Sequence, residues 1–268
     1  MLTRLISSIC GAIILGLILY TGGIWFFLAS FAICVAATYE AIKFIPYNNP
    51  KIIIFLSAPL FMLASLVSPS LINFTYISAF IIISLLVVSS IYVVGTSTTN
   101  SFGTMLYSIG MPVYTGLLFS HGLLLYQATS ITKFSGSIIL LITIIITFTS
   151  DTGAYVCGKL FGNIKIMPLI SPNKTLEGSI GGFVLGVIMS LVLGSILPIN
   201  ITILNMLVIG MIICIAAQLG DLFESKLKRI INIKESGRFM PGHGGLLDRI
   251  DSLLFTLPVS YYMFWIIS

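Results

Sequence analysis

Charged residues are scarce in this sequence, at 8% of its 268 residues, whereas apolar side chains make up 57%. A water-soluble domain carries roughly a quarter of its residues as charged side chains, because these cover its surface. The mean hydropathy of +1.13 agrees with this imbalance. The composition therefore excludes an ordinary soluble domain and indicates a protein whose solvent is lipid.

Cysteine and histidine are also rare, with four Cys and two His in the chain. The cysteines all lie within apolar segments and show no C-x-x-C spacing, so they predict neither a disulfide framework nor a zinc site. We interpret them as small packing residues. The sequence also lacks the G-x-x-x-x-G-K-[ST] phosphate loop, which excludes that common class of nucleotide site.

What the sequence has is a series of long apolar runs. A helix needs about 20 residues to cross about 30 Å of hydrocarbon. The runs are apolar all round, without the alternation of a β-barrel strand, so helices must satisfy the backbone. The sequence predicts an all-α polytopic membrane protein with about nine transmembrane helices, placed at 5–20, 23–41, 51–68, 74–95, 104–127, 137–159, 176–197, 201–224 and 250–267.

The basic residues indicate the orientation of these helices. A nine-helix path with a cytoplasmic N-terminus and an outside C-terminus leaves all 13 Lys and Arg residues except Lys133 on the cytoplasmic side. Short cytoplasmic loops retain Lys and Arg in this way, so the distribution supports that path. The net charge of +5 then needs no nucleic-acid partner to explain it.

The acidic residues are concentrated in two cytoplasmic segments, 151–178 and 218–251, which hold all of them except Glu40. A carboxylate in or beside a membrane helix is costly, so each is a functional candidate. Asp151 follows the apolar run of its helix directly. The alternative for Asp151 is a capping role in the next helical piece.

The segment 218–229 leaves the predicted eighth helix. At helical spacing Asp221, Ser225 and Lys228 share one face, which lines up a carboxylate, a hydroxyl and an ammonium. A plain juxtamembrane anchor is the alternative, and it would explain the basic cluster but not Asp221 one turn deeper.

The segment 241–251 runs into the last predicted helix. Glycines around His243 let the backbone approach an anion closely, ahead of a helix N-terminus. Asp248 and Asp251 lie three residues apart in the first turn, where two carboxylates can hold a divalent cation. The alternatives are that these carboxylates complement the helix dipole and that His243 folds the glycine loop.

The segment 171–178 opens the predicted seventh helix, and Lys174 with the free amides of a helix start would suit a phosphate. The glycines at 181–182 serve equally well for close helix packing. Together the segments predict a magnesium-dependent phosphate site at the cytoplasmic membrane edge, where positioning and electrostatics drive the transfer.

The chain resembles the phosphatidate cytidylyltransferase family, also called CDP-diacylglycerol synthases. The family signature is S-x-[apolar]-K-R-x4-K-D, followed by H-G-G-[apolar]-x-D-R-[apolar]-D. Here it reads Ser225 to Arg229, Lys234-Glu235, and His243 to Asp251. The detailed resemblance covers about 150–255. Glu235 departs from the family's aspartate, so we assign it no role as a metal ligand.

The resemblance implies the reaction of CTP with phosphatidic acid to give CDP-diacylglycerol and pyrophosphate, in phospholipid biosynthesis. It implies Mg²⁺ with an accompanying K⁺, a homodimer, and a bacterial inner membrane with the active site facing the cytoplasm. The catalytic residues would be Asp221, Asp248 and Asp251, which with Asp151 would be the metal ligands. The substrate-binding residues would be Ser171, Lys174, Thr175, Glu177, Ser225, Lys228, Arg229, Lys234, His243 and Arg249.

Residues 1–135 would form a lipid-facing and dimer-forming region, and 136–268 the catalytic region. One alternative is a CTP-dependent polyprenol or phytol kinase, which would move the γ-phosphate to a lipid alcohol and need a base. The other is an ion-coupled transporter. Transporter sites favour the bilayer midplane and repeated halves, whereas these acids gather at one membrane face.

Overall fold

The computed structural model describes residues 16–45, 50–68, 70–96, 101–128, 135–199, 201–233, 235–237 and 244–267. Most of the predicted first helix, at 5–20, lies outside these residues. So do two predicted site residues, Lys234 and His243.

The first half of the chain is helical. Helix α1 spans Gly23–Ala41 and continues as a 3₁₀ turn at Ile42–Phe44, α2 spans Lys51–Val67, and α3 spans Leu71–Thr96. Helix α4, Ser101–Pro112, passes through a π-helical turn at Val113–Leu117 into α5, Leu118–Gln127. Pro112 has no N–H for the helical ladder, which is consistent with the change of winding directly after it.

The second half places a small sheet between long helices. Helix α6 spans Gly136–Phe161, strands β1 and β2 span Lys165–Met167 and Ser171–Thr175, and α7 spans Leu176–Ile196. Helices α8 and α9 follow at Ile203–Ile230 and Leu247–Ile267. The strands pair antiparallel, with Lys165 opposite Thr175 and Met167 opposite Ser171.

The predicted all-α polytopic class is confirmed, and the hairpin of β1 and β2 is the one described element that it did not contain. Residues 162–175 lie outside the predicted transmembrane runs and contain Pro168 and Pro172, which disfavour a helix, so their backbone groups pair with each other in a hairpin instead. Within the described residues, seven helices have the length and hydropathy to cross a membrane, and Lys51–Val67 is a shorter apolar helix. The count of nine and the orientation stay predictions.

The chain divides into two compact units. The first contains the described residues up to Leu124 together with Glu235–Arg249, and its fully buried side chains include Phe44, Phe61 and Phe74. The second contains those from Leu125 to 233 together with the part of α9 from Ile250 onward, and it buries Ile142, Ile146 and Met206. The division predicted at 135 stays a prediction.

Glycines determine how closely α6 and α7 pack in the second unit. A Cβ at Gly182 would lie 2.5 Å from the carbonyl oxygen of Ser150, and one at Gly178 would lie 2.7 Å from that of Ala154. Small residues on both helices allow this backbone approach, as in membrane helix pairs generally. The packing role considered for the glycines of this helix is confirmed, and it fixes the position of Asp151 next to Ser150.

Candidate active site

The hairpin of the second unit carries a lysine onto an aspartate of α8. The Nζ atom of Lys174 lies 2.7 Å from Oδ2 of Asp221, and the two side chains are 24% and 38% exposed. Lys174 is the second-last residue of β2, so the strand presents it beside the start of α7. Because both side chains are partly exposed, solvent weakens the ion pair only in part and a ligand can reach it.

Three carboxylates come together in the second unit from three different helices: Asp151 of α6, Asp221 of α8 and Asp251 of α9. The charge of Asp151 interacts with both others, and the charge of Asp251 interacts with that of Asp221. Asp251 is buried and the side chain of Asp221 is 38% exposed, so a cation bound between these carboxylates would relieve the repulsion of their like charges. The hydroxyl of Ser252 donates to Oδ1 of Asp151 at 3.3 Å.

Helices α8 and α9 approach closely beside these carboxylates. A Cβ at Gly220 would lie 2.7 Å from the carbonyl oxygen of Asp251 and 3.1 Å from the Cα of Ser252. Only glycine allows this separation without a shift of one helix. Gly220 therefore sets the distance between the backbone that carries Asp221 and the backbone that carries Asp251.

Glu224 is a member of this cluster to which the sequence analysis assigned no role. It is fully buried, it lies near Asp251, and Nζ of Lys228 lies 3.0 Å from its Oε2. The signal was available, since Glu224 precedes Lys228 by four residues and follows Asp221 by three, on one helix face. The predicted alignment of Asp221 with Lys228 thus includes a second carboxylate.

The other predicted residues of the hairpin mainly organise it. The Oγ1 atom of Thr175 accepts a hydrogen bond from the N–H of Gly178 at 3.2 Å and so caps α7. The carboxylate of Glu177 accepts from the N–H of Ile164 at 3.1 and 3.3 Å. Ser171 begins β2 opposite Met167. Their predicted contacts with substrate stay predictions.

Arg229 also contacts the hairpin. Its Nε donates to the carbonyl of Ile170 at 2.9 Å, and its Nη1 donates to the carbonyl of Ile233 at 3.2 Å. These bonds tie the end of α8 to the turn before β2. Arg229 therefore orients the strand that carries Lys174. Ser225 is partly buried one turn before Arg229 on α8.

Asp248 belongs to the first unit, where it organises the chain around the start of α9. Its Oδ2 accepts from the N–H of Ser236 at 3.0 Å and from the N–H of Gly245 at 2.8 Å. Gly244 has a φ of +84°, a left-handed conformation that favours glycine. The alternative that Asp248 complements the dipole of the last helix therefore has a structural basis. Arg249 beside it is exposed.

The donor set fits a hard divalent cation in kind, because carboxylate oxygens are the ligands Mg²⁺ prefers. Among the residues that the structure describes, however, no group of three or more His, Cys, Asp or Glu side chains has a geometry ready to hold a metal ion. The charge of Asp221 is balanced instead by the ammonium group of Lys174.

Comparison with known proteins gives a consistent answer over the whole chain. The model of the cytidylyltransferase family matches residues 2–267. A phosphatidate cytidylyltransferase of Staphylococcus saprophyticus is 33% identical over 267 residues, which cover 97% of each chain. One from Staphylococcus haemolyticus is 39% identical over 168 residues, or 63% of this chain and 62% of that one. One from Staphylococcus aureus is 44% identical over 128 residues, or 48% of this chain and 49% of that one. On this evidence of sequence and site, the chain belongs to the cytidylyltransferase family.

Proposed function

We propose that the protein is a phosphatidate cytidylyltransferase, a nucleotidyltransferase that converts CTP and phosphatidic acid to CDP-diacylglycerol and pyrophosphate. One observation carries the proposal. Asp151, Lys174, Asp221 and Asp251 all lie in the region of detailed resemblance, about 150–255, inside the family match over residues 2–267. In the second unit Lys174 pairs with Asp221, and Ser252, the neighbour of Asp251, donates to Asp151. Two relatives that align over 97% of the chain at 33% identity are named phosphatidate cytidylyltransferase.

The reaction asks little covalent work of the protein. An oxygen of the phosphatidate phosphate attacks the α-phosphorus of CTP, a new P–O bond forms, and the bond from that phosphorus to the β-phosphate oxygen breaks. The electron pair leaves with pyrophosphate. Phosphatidate is already an anion at neutral pH, so no general base is needed and no protein nucleophile enters.

The acidic residues would bind the cation, and the basic residues would bind the phosphates. Asp221, Asp248, Asp251 and Asp151 would hold Mg²⁺, with K⁺ beside it. When bound, Mg²⁺ supplies positive charge against the phosphates and the departing pyrophosphate. Lys174 and Lys228 would neutralise phosphate oxygens from positions next to the carboxylates. Lys234, Arg249 and His243 would complete the phosphate and nucleotide contacts, and Arg229 would hold the hairpin on which Lys174 is placed.

The same proposal assigns a membrane arrangement. The apolar helices cross a bacterial inner membrane nine times, with the N-terminus in the cytoplasm, the C-terminus outside and the active site on the cytoplasmic face. The distribution of Lys and Arg supports this orientation. Both substrates then reach the site, CTP from the cytoplasm and phosphatidate from the inner leaflet. The protein would act as a homodimer, as the family resemblance implies.

Label transfer tests the reaction. The purified protein is incubated with phosphatidate, Mg²⁺ and CTP labelled at either the α- or the γ-phosphorus. We expect α-label in the lipid fraction and γ-label in pyrophosphate. A CTP-dependent kinase would place the γ-label in lipid, and that result would overturn the proposal. The kinase and transporter alternatives have no support from the named relatives.

A further inference from the structure

The N-terminal half carries one acidic residue, Glu40, and it is buried at 5% exposure near the end of α1. Its Oε2 accepts hydrogen bonds from the hydroxyl of Ser236 at 3.0 Å and from the backbone N–H of Leu247 at 2.8 Å. Leu247 is the first residue of α9. A buried carboxylate on a helix N-terminus has favourable charge–dipole and hydrogen-bonding interactions.

Ser236 is held by all three of its polar groups. Its hydroxyl donates to Glu40, its carbonyl accepts from Nζ of Lys43 at 3.5 Å, and its N–H donates to the carboxylate of Asp248 at 3.0 Å. Glu40 and Lys43 lie one turn apart on α1 and the 3₁₀ turn that continues it. One turn of the N-terminal half therefore holds the residue that contacts Asp248.

The surrounding glycines match this arrangement. A Cβ at Gly245 would lie 2.5 Å from Oε2 of Glu40 and would overlap the hydroxyl of Ser236. A Cβ at Gly237 would overlap Oε1 of Glu40. The second glycine of the His-Gly-Gly motif is thus required by the packing of Glu40 and Ser236, independently of any ligand.

We infer that Glu40 is a positioning residue for the transfer reaction: it fixes Ser236 and the start of α9, and through them the carboxylate of Asp248. The inference rests on the proposed function, because it takes Asp248 as a ligand of the activating cation. It gives the N-terminal half, which otherwise lacks motifs, a defined part in building the site. Mutation of a residue that orients a metal ligand commonly lowers metal affinity or activity by about 10–100-fold.

The test compares Glu40→Ala and the milder Glu40→Gln with a matched control, Thr38→Val. Thr38 lies two residues earlier on α1, is fully buried, and donates to the carbonyl of Cys34 at 2.7 Å and the hydroxyl of Thr115 at 2.9 Å. Its loss destabilises the same helix without touching residues 235–249. The assay measures the Mg²⁺ concentration for half-maximal cytidylyl transfer, together with hydrogen exchange of peptides covering 235–249.

We expect Glu40→Ala to raise the half-maximal Mg²⁺ concentration about 10–100-fold and to speed amide exchange in 235–249. Glu40→Gln keeps one acceptor oxygen and should fall between Glu40→Ala and the wild type. Thr38→Val should change neither quantity at a comparable loss of thermal stability. Equal behaviour of the Glu40 and Thr38 variants would overturn the inference. If the wild type transfers no cytidylyl group, the proposed function fails, and the exchange measurement still decides whether Glu40 holds this segment.

Discussion

Lys174 of the hairpin and Asp221 of α8 form an ion pair with an Nζ–Oδ2 distance of 2.7 Å. The proposed reaction needs both groups for other partners, since Asp221 would face a cation and Lys174 a phosphate. Lys174 therefore affects the binding of a cation and the binding of CTP in opposite directions. The ammonium competes with a divalent cation for the carboxylate, and it attracts the triphosphate of CTP.

The first prediction separates those consequences with Lys174→Met, which keeps the length of the side chain and removes its charge. We expect the variant to bind Mn²⁺ more tightly than the wild type in the absence of CTP, and to show a higher KM for CTP. The measurements are Mn²⁺ titration and steady-state kinetics. Weaker Mn²⁺ binding without nucleotide would contradict the competition between ammonium and cation.

The second prediction concerns Ser252 and its hydrogen bond to Asp151 at 3.3 Å. Ser252→Ala should lower activity by about 10-fold, the low end of the range for partners of metal ligands, because its hydrogen bond to Asp151 is long at 3.3 Å. Asp151→Asn, which changes the carboxylate itself, should cost more. Product formation measured across Mg²⁺ concentrations checks this order. A larger loss in Ser252→Ala than in Asp151→Asn would show that the assignment is wrong.

The third prediction tests the buried pair of Glu224 and Lys228. Glu224→Leu removes the ion-pair partner of Lys228, and the charge of Asp251 compensates part of that loss, so the variant should destabilise the protein by about 3 kcal/mol. The double variant Glu224→Leu with Lys228→Met should regain much of that stability while staying inactive, since Lys228 would contact phosphate. Thermal unfolding and label transfer measure the two effects. An active double variant would remove both residues from the site.

The fourth prediction addresses the packing of α6 on α7. Gly182→Ala places a Cβ 2.5 Å from the carbonyl oxygen of Ser150, and overpacking of this kind costs about 1–3 kcal/mol. The shift of α6 should also lower activity, because Asp151 follows Ser150. Gly110→Ala is the control, since no atom lies within 4 Å of its added Cβ. If both variants unfold at the same temperature, the close contact at Gly182 does not contribute to the stability of the protein.

The sequence predicted the helices well because hydrocarbon thickness sets their length. The apolar runs placed at 51–68 and 176–197 correspond to Lys51–Val67 and Leu176–Ile196. The hairpin was missed because three- to five-residue strands leave no periodic signal. The contacts of Arg229 with Ile170 and Ile233 were missed with it, since their acceptors are backbone carbonyls.

The site was predictable to the extent that it follows helix spacing. Asp221 and Lys228 share a face of α8 as expected, and Glu224 between them is explained by the same spacing. Glu40 was not predictable in this way, because its partners Ser236 and Leu247 lie about 200 residues further along the chain. Only the tertiary structure brings such a pair together.

Binding of Mn²⁺, followed through the loss of the free-ion signal in electron paramagnetic resonance, tests the central claim most directly. The claim is that the aspartates of α6, α8 and α9 provide the cation site for cytidylyl transfer. In the presence of CTP, the wild type should bind Mn²⁺, and Asp221→Asn should lose that binding together with about 100-fold or more of its activity. If Asp221→Asn binds Mn²⁺ and transfers label as well as the wild type, the cation site lies elsewhere and the claim is wrong.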